Sequence, residues 1–221
     1  MDSISYHQKI HPGEYGHPYF LPQGRNERKC LVIFGEFSET TEVTVGIAML
    51  SILGFDVHAI SPDYEKNSPI VLSSHYYHDL NIAEAPLRAK HIYTSLDGKT
   101  CATTDDFEHF DYHGCDSLFL PGGSAPDYLQ NDTRVLKIIE SFLNRRRTTV
   151  MANCNGVKLL LGVLKGKNLS GPDLIKAQVN SSGNYYVNDA VYTQKVGDCT
   201  LITAGPLYYN YMFKEFTQVV R

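Results

Sequence analysis

Cys154 lies in the stretch TTVMANCNGVKLLLG, residues 148–162, where β-branched and apolar residues give way to a glycine and then to a leucine-rich pattern of helical period. A residue on a tight turn between strand and helix is pushed outward. A thiol at a helix N-terminus has its anionic form favoured by the helix dipole and by unpaired backbone N–H groups. That is the setting of a nucleophile. Gly156, two residues on, suits such a turn where two backbones approach closely, as in the serine form of a nucleophile elbow. The competing reading is a small core thiol, since free cysteine is among the most buried residue types. Position alone does not choose between them.

Other groups could complete the chemistry. Gly122 and Gly123, in the turn PGGSAP after the apolar run CDSLFL, leave backbone N–H groups uncovered; together with the N–H of Asn155 they are candidate oxyanion donors for a reaction at Cys154. A plain turn is the other reading of a glycine pair. Glu36, Glu39 and Glu42 follow the first apolar run. A carboxylic acid beside a thiol can move a proton or hydrogen-bond to a thiolate or its oxidised form. Any of the three could instead serve the dipole at a helix start, and their spacing does not choose among them. All nine histidines precede Cys154, and His75 and His78 are the candidate bases because the middle of the chain can fold over the sheet edge. Exposed loop histidines are the other reading. His7 and His11 have i, i+4 spacing, but Pro12 and the lack of a third ligand argue against a metal site. No metal or cofactor is expected.

These residues need elements to place them. With 221 residues, 43% hydrophobic and 20% charged, and a net charge of −4, the chain has the make-up of an ordinary globular protein and no polyelectrolyte excess, so nucleic acid is not an expected partner. No run is apolar enough for a membrane span, and the N-terminus has no signal pattern, so a cytoplasmic location is expected by default. Five scattered cysteines give neither a disulfide framework nor a CxxC motif, so free thiols are expected.

Residues 1–28 read as an irregular arm, and residues 29–221 as a single domain. Strand, helix and strand follow one another in CLVIF, TTEVTVGIAMLSILGF and FDVHAIS, the size of a βαβ unit. The middle segments PIVLSSHYYHDL and PLRAKHIY hold candidate strands, and Asp97-Gly98 between alternating runs signals a hairpin. Beyond it, CDSLFL, TTVMAN and CTLITA read as buried strands and RVLKIIESFLNRRR as a helix, with Arg145, Arg146 and Arg147 solvated at its end. GVKLLLGVL and LYYNYMFKEFTQVV also read as helices, LIKAQV as a strand and NYYVNDAVYTQ as a small ribbon. The tyrosine clusters HYYHD, NYYVN and LYYNYM suit a pocket wall, an interface or simple packing. Alternating strands and helices argue for an α/β fold with a mostly parallel sheet covered on both faces. In such a sheet, sites form at the carboxyl ends of the strands.

The glutamate entering the first helix twelve residues before Gly54, CDSLFLPGG, and CNG followed by LLLGVLKGK together resemble the ThiJ/PfpI superfamily, relatives of class I glutamine amidotransferase domains, from about Cys30 to Arg221. The resemblance implies a flavodoxin-like three-layer sandwich, dimeric or larger, with an exposed, reactive Cys154 as the elbow nucleophile and Glu42 as the glutamate that hydrogen-bonds it. Gly122 and Gly123 match the loop of backbone donors, and TAGP (203–206) is similar to the segment before the last family helix. Many members read cysteine-histidine at the elbow, whereas residue 155 is asparagine, which cannot act as a base near neutral pH. Three functions follow from this reading. The first is a cysteine-dependent enzyme, hydrolase or lyase, acting on a small electrophilic carbonyl or an amide-like bond. The second is a redox-responsive or chaperone-like protein with Cys154 oxidised to a sulfinic acid. The third is a binding member without turnover.

Overall fold

Four short runs with hardly a polar break, β1 (Lys29–Ile33), β7 (Ser117–Leu120), β8 (Thr149–Asn153) and β12 (Cys199–Ala204), are buried almost throughout, because each lies inside a sheet covered on both faces. The computed structural model describes residues 28–78, 91–95, 99–206 and 208–220. With β2 (Asp56–Ile60) and β11 (Val191–Val196) the four runs form a six-stranded sheet in the order β11-β12-β8-β7-β1-β2. All neighbours are parallel except β11, which runs antiparallel to β12 at one edge.

The two-residue side-chain period of the strands sorts the core into two layers. Val32, Phe119, Met151 and Ile202 face one side, where α1 (Thr40–Ile52) supplies Val43 and Leu50, and α5 (Tyr209–Val219) supplies Met212, Phe213 and Phe216. Leu31, Leu118, Val150 and Leu201 face the other, against Val135, Ile139 and Phe142 of α3 (Thr133–Asn144) and the segment that follows β8. Each fully buried Leu, Ile or Phe stabilises this sandwich by roughly 1.5–3 kcal/mol.

Two small pairs flank the sheet: β3 (Pro69–Val71) with β6 (Thr100–Ala102), and β4 (Ser74–His78) with β5 (His91–Ser95), both antiparallel. The hairpin expected across Asp97-Gly98 is therefore not formed between its flanking runs, since β5 and β6 each have another partner; the Asp-Gly pair itself lies outside the described residues. So do His7, His11 and all of the N-terminal arm except Arg28.

LIKAQV is helical, not a strand: a 3₁₀ turn at Asp173–Ile175 leads into α4 (Lys176–Ser181), and Ile175 and Val179, four apart, are its buried contacts. NYYVNDAVYTQ is not a ribbon, because β10 (Tyr185–Val187) pairs with β9 (Asn168–Ser170) while β11 joins the main sheet. Of the three arginines expected to be solvated, Arg145 is half-buried. It stacks 4.2 Å above Phe142 and donates to the His113 and Cys115 carbonyls at 2.8 Å each, tying the end of α3 to the segment before β7.

Candidate functional site

The carboxyl ends of β1, β7 and β8 lie side by side, so the segments leaving them meet. They are laced together through backbone groups. The Glu39 N–H donates to the Gly122 carbonyl (3.1 Å), Ser124 to Phe37 (2.9 Å), Ser73 to Ser38 (3.0 Å) and Thr40 to Ser73 (2.8 Å). The start of β4 is therefore fixed against the head of α1. This places the backbone of His75, one residue further on, near that edge, with His75 in register with Thr94 and His78 with His91.

Cys154 opens a 3₁₀ segment, Cys154–Leu160, directly after β8, with φ +51°. The left-handed conformation costs a non-glycine residue roughly 1–2 kcal/mol, and the turn that imposes it delivers the thiol to the head of a helix. The winding is tighter than the α-helix expected, with bonds such as Leu161 N–H to Lys158 O (3.1 Å) reaching back three residues. The side chain is not open, as the resemblance implies, but 6% exposed. The neighbouring segments cover what the turn pushes outward.

Gly156 is where the turn meets the strand before it. A Cβ there would sit 2.2 Å from the Leu120 carbonyl oxygen and 2.9 Å from that of Pro121, both backbone atoms that cannot step aside. Gly156→Ala is expected to destabilise the protein by about 3 kcal/mol, lowering the thermal midpoint by roughly 6–12 °C; an unchanged midpoint would show that this close approach does not hold the elbow.

Of the three acids after β1, Glu42 hydrogen-bonds with the thiol. Glu36 accepts from the Tyr64 hydroxyl (3.0 Å), outside the site. Glu39 is the N-cap of α1, and its carboxylate accepts from the Glu42 N–H at 2.7 Å. Glu42 is 3% exposed and accepts from the Gly122 N–H through Oε2 at 2.6 Å. A Cβ placed on Gly122 would lie 2.8 Å from the Asn155 nitrogen, 2.8 Å from the Cys154 Cβ and 2.9 Å from Glu42 Oε2, so these groups converge on one point. Burial, followed by the nearby Glu39 charge, raises the Glu42 pKa; the Gly122 N–H, the neighbouring Asn153 amide and a hydrogen bond from Cys154 draw it back, leaving it at about 8. At neutral pH Glu42 is therefore mostly a carboxylic acid, with an O–H to give.

The backbone donors divide. The Gly122 N–H is committed to Glu42 and is not open to an oxyanion, because the carboxyl group lies directly against it. Gly123, held at φ +92° where a Cβ would strike the Glu39 nitrogen at 2.3 Å, donates in none of the hydrogen bonds among the described residues. Its carbonyl is latched by Asn155 Nδ2 at 2.9 Å. Asn155 thus joins the glycine loop to the elbow. An ion pair between the buried Lys158 Nζ and the exposed Asp127 Oδ1, at 2.5 Å, makes a second tie, from the 3₁₀ segment to α2 (Pro126–Leu129).

His58 is held between Asp105 (2.8 Å) and Asp56 (3.2 Å), and His109 bonds Asp106. Among the described residues no three His, Cys, Asp or Glu side chains could hold a metal ion, and all five cysteines are free thiols. No described helix is long and apolar enough to cross a membrane. The sequence names Glu39 among three candidate acids without its role as N-cap, which its spacing of three residues before Glu42 could have marked. One residue beside the site, Asn153, is not singled out in the sequence. Asn153 carried no signal beyond being a polar end to an apolar run.

An α/β sandwich with a strained cysteine after a central strand and a buried, neutral glutamate on the facing helix defines a flavodoxin-like domain with a cysteine elbow. The chain belongs to the DJ-1/PfpI family, which it matches over residues 28–216. It is 28% identical over 203 residues to Protein DJ-1 homolog D of Arabidopsis thaliana, covering 86% of this chain and 49% of that protein. It is also 34% identical over 82 residues to Protein/nucleic acid deglycase 2 of Escherichia coli (strain K12), covering 36% of this chain and 47% of the relative. The chain spans about half the length of these curated relatives. Drosophila melanogaster DJ-1beta shares the fold, with a TM-score of 0.68 at 17% identity over 87% of this chain and 90% of that one.

Proposed function

We propose that the chain is a cysteine-dependent enzyme acting on a small electrophilic carbonyl, of glyoxalase or deglycase type, with Cys154 as nucleophile and Glu42 as proton carrier. The observation that supports this most is the buried acid beside the strained thiol: Glu42 is neutral near pH 7 and hydrogen-bonded with Cys154. In the proposed reaction with a dicarbonyl such as methylglyoxal, the Cys154 thiol loses its proton to solvent or to a base, for which His75 and His78 remain the candidates. The sulfur then bonds to the aldehyde carbon, and Glu42 protonates the oxygen, giving a hemithioacetal and a carboxylate. That carboxylate removes the proton from the former aldehyde carbon, and a proton is returned to the adjacent carbon, leaving a thioester of a hydroxy acid. Water cleaves it and frees the thiol. The Gly123 and Asn155 N–H groups are the proposed oxyanion donors. The similarity to a deglycase lends support through its short matched region. Self-association into a dimer or larger assembly belongs to the same reading. Loss of methylglyoxal turnover in Cys154→Ala is the test.

A second reading is favoured by the same neutral acid, whose O–H could donate to an oxidised sulfur. Here Cys154 would be a redox-responsive group converted to a sulfinic acid. Mass spectrometry after mild peroxide is expected to find two added oxygens on Cys154 before Cys30 or Cys199, both 0% exposed. Oxidation of either with Cys154 still reduced would exclude it.

A further inference from the structure

Asn153 is a wholly buried amide at the end of β8, one residue before the nucleophile, and neither its Nδ2 nor its Oδ1 closes a hydrogen bond of ordinary geometry. Alternation along β8 places Val150 and Ala152 in one layer and Met151 in the other, so Asn153 shares the Met151 side, the side that carries α1 and Glu42. It is a polar cap on an apolar layer, standing beside the Glu42 carboxyl, which it draws toward the ionised form. A buried amide with unmade bonds costs about 1–3 kcal/mol per group, so its position calls for a partner.

Glu42 has two states with opposite needs. As an acid it offers an O–H; as a carboxylate it needs donors. An amide carries one acceptor and one donor group on the same rotor, and a half-turn of the terminal torsion exchanges them. The Gly122 N–H donates to Glu42 but cannot accept from it. We propose that Asn153 is a positioning residue that serves both protonation states of Glu42, accepting from the acid through Oδ1 and donating to the carboxylate through Nδ2. This deepens the reading of Glu42 as a proton carrier, since a group that must be acid in one step and base in the next needs a neighbour that fits both. Among the described residues the titratable groups facing Glu42 are Glu39, on its own helix cap, and Cys154, on the 3₁₀ segment; Asn153 and the Gly122 N–H are neutral.

Asn153→Val and Asn153→Thr test the proposal as a pair. The two replacements are nearly the same size and suit a strand, and only threonine keeps a group that both donates and accepts. The full chain is labelled with ¹³C at the glutamate carboxyl carbons, and the Glu42 resonance is assigned by its loss in Glu42→Gln. In the parent its titration midpoint is expected near 8. In Asn153→Val it is expected to rise by about one unit, the size of a lost hydrogen bond to a carboxylate, and in Asn153→Thr to stay close to the parent. If valine and threonine give the same midpoint, shifted or not, the amide acts only through packing and the proposal is overturned. If valine fails to fold, a threonine midpoint displaced by a full unit overturns it as well. The readout needs no turnover, so a valine-specific shift in a protein inactive on carbonyls would sink the enzymatic reading and leave this one standing.

Discussion

Cys154→Ala is expected to reduce methylglyoxal consumption to the rate of the buffer, while the protein stays folded. The substitution removes one sulfur from a side chain that is 6% exposed, so a stability change of only about 1–2 kcal/mol accompanies it. The left-handed backbone remains, because alanine carries the same Cβ at φ +51°. If the sulfur forms the bond to the substrate, its loss leaves only the field of the Gly123 and Asn155 N–H groups and of Glu42. A drop on the order of 10³–10⁶-fold follows for removing a nucleophile whose partners act with it as a unit. Product formation is followed directly, alongside the thermal midpoints of parent and variant. Equal rates in two folded proteins would rule out the covalent mechanism, and a collapse in midpoint with the rate would shift the explanation to folding.

Such an experiment can be specified because the fold is legible in the long apolar runs. CLVIF, CDSLFL, TTVMAN and CTLITA could be read as strands because burial on both faces removes polar residues from every position. LIKAQV could not, since six residues with Lys176 and Gln178 among the apolar ones are short enough to fit a strand or a helix. Residues 175 and 179 share a face in either element, and the backbone bonds decide for the helix: the Ile175 N–H reaches back to the Pro172 carbonyl and the Ser182 N–H to that of Gln178, both at 3.0 Å. NYYVNDAVYTQ and the runs around Asp97-Gly98 failed for another reason. Local alternation marks strands but not partners, and in both cases the partner lay elsewhere in the chain.

The site divides along the same line. Cys154 and Glu42 are legible as neighbours because a thiol at a strand-to-helix turn and a glutamate at a helix head each leave a mark in the sequence. The coverage of Cys154 was not visible, because it comes from segments brought together by the sheet order. Gly122 was expected to hold an oxyanion, and its N–H is instead taken by Glu42 at 2.6 Å. A glycine pair shows that donors are uncovered without showing which group reaches them first. Asn153 matters only through the faces assigned by sheet packing, which no short window contains.

Glu42→Gln is expected to make the protein more stable, by an amount that grows with pH. In the folded chain the carboxyl keeps its proton up to about 8, against an ordinary value near 4.5. The raised pKa means that the folded state holds a proton which the unfolded chain has already released. The resulting stability is complete below about 4.5 and is lost as pH rises through about 8. Across that window unfolding becomes easier by about 1.4 kcal/mol per pH unit, on the order of 5 kcal/mol in all. Glutamine does not titrate, and its carbonyl can still accept the Gly122 N–H. Urea unfolding of parent and variant under reducing conditions, at several values between pH 4.5 and 8, measures the difference, from which groups unaffected by the substitution cancel. Near-equal stability at pH 4.5 and an advantage of several kcal/mol for the variant at pH 8 is the expected pattern. Parallel curves would mean that Glu42 ionises as an ordinary carboxylate, and with that the acid required to protonate the substrate oxygen at neutral pH would be gone.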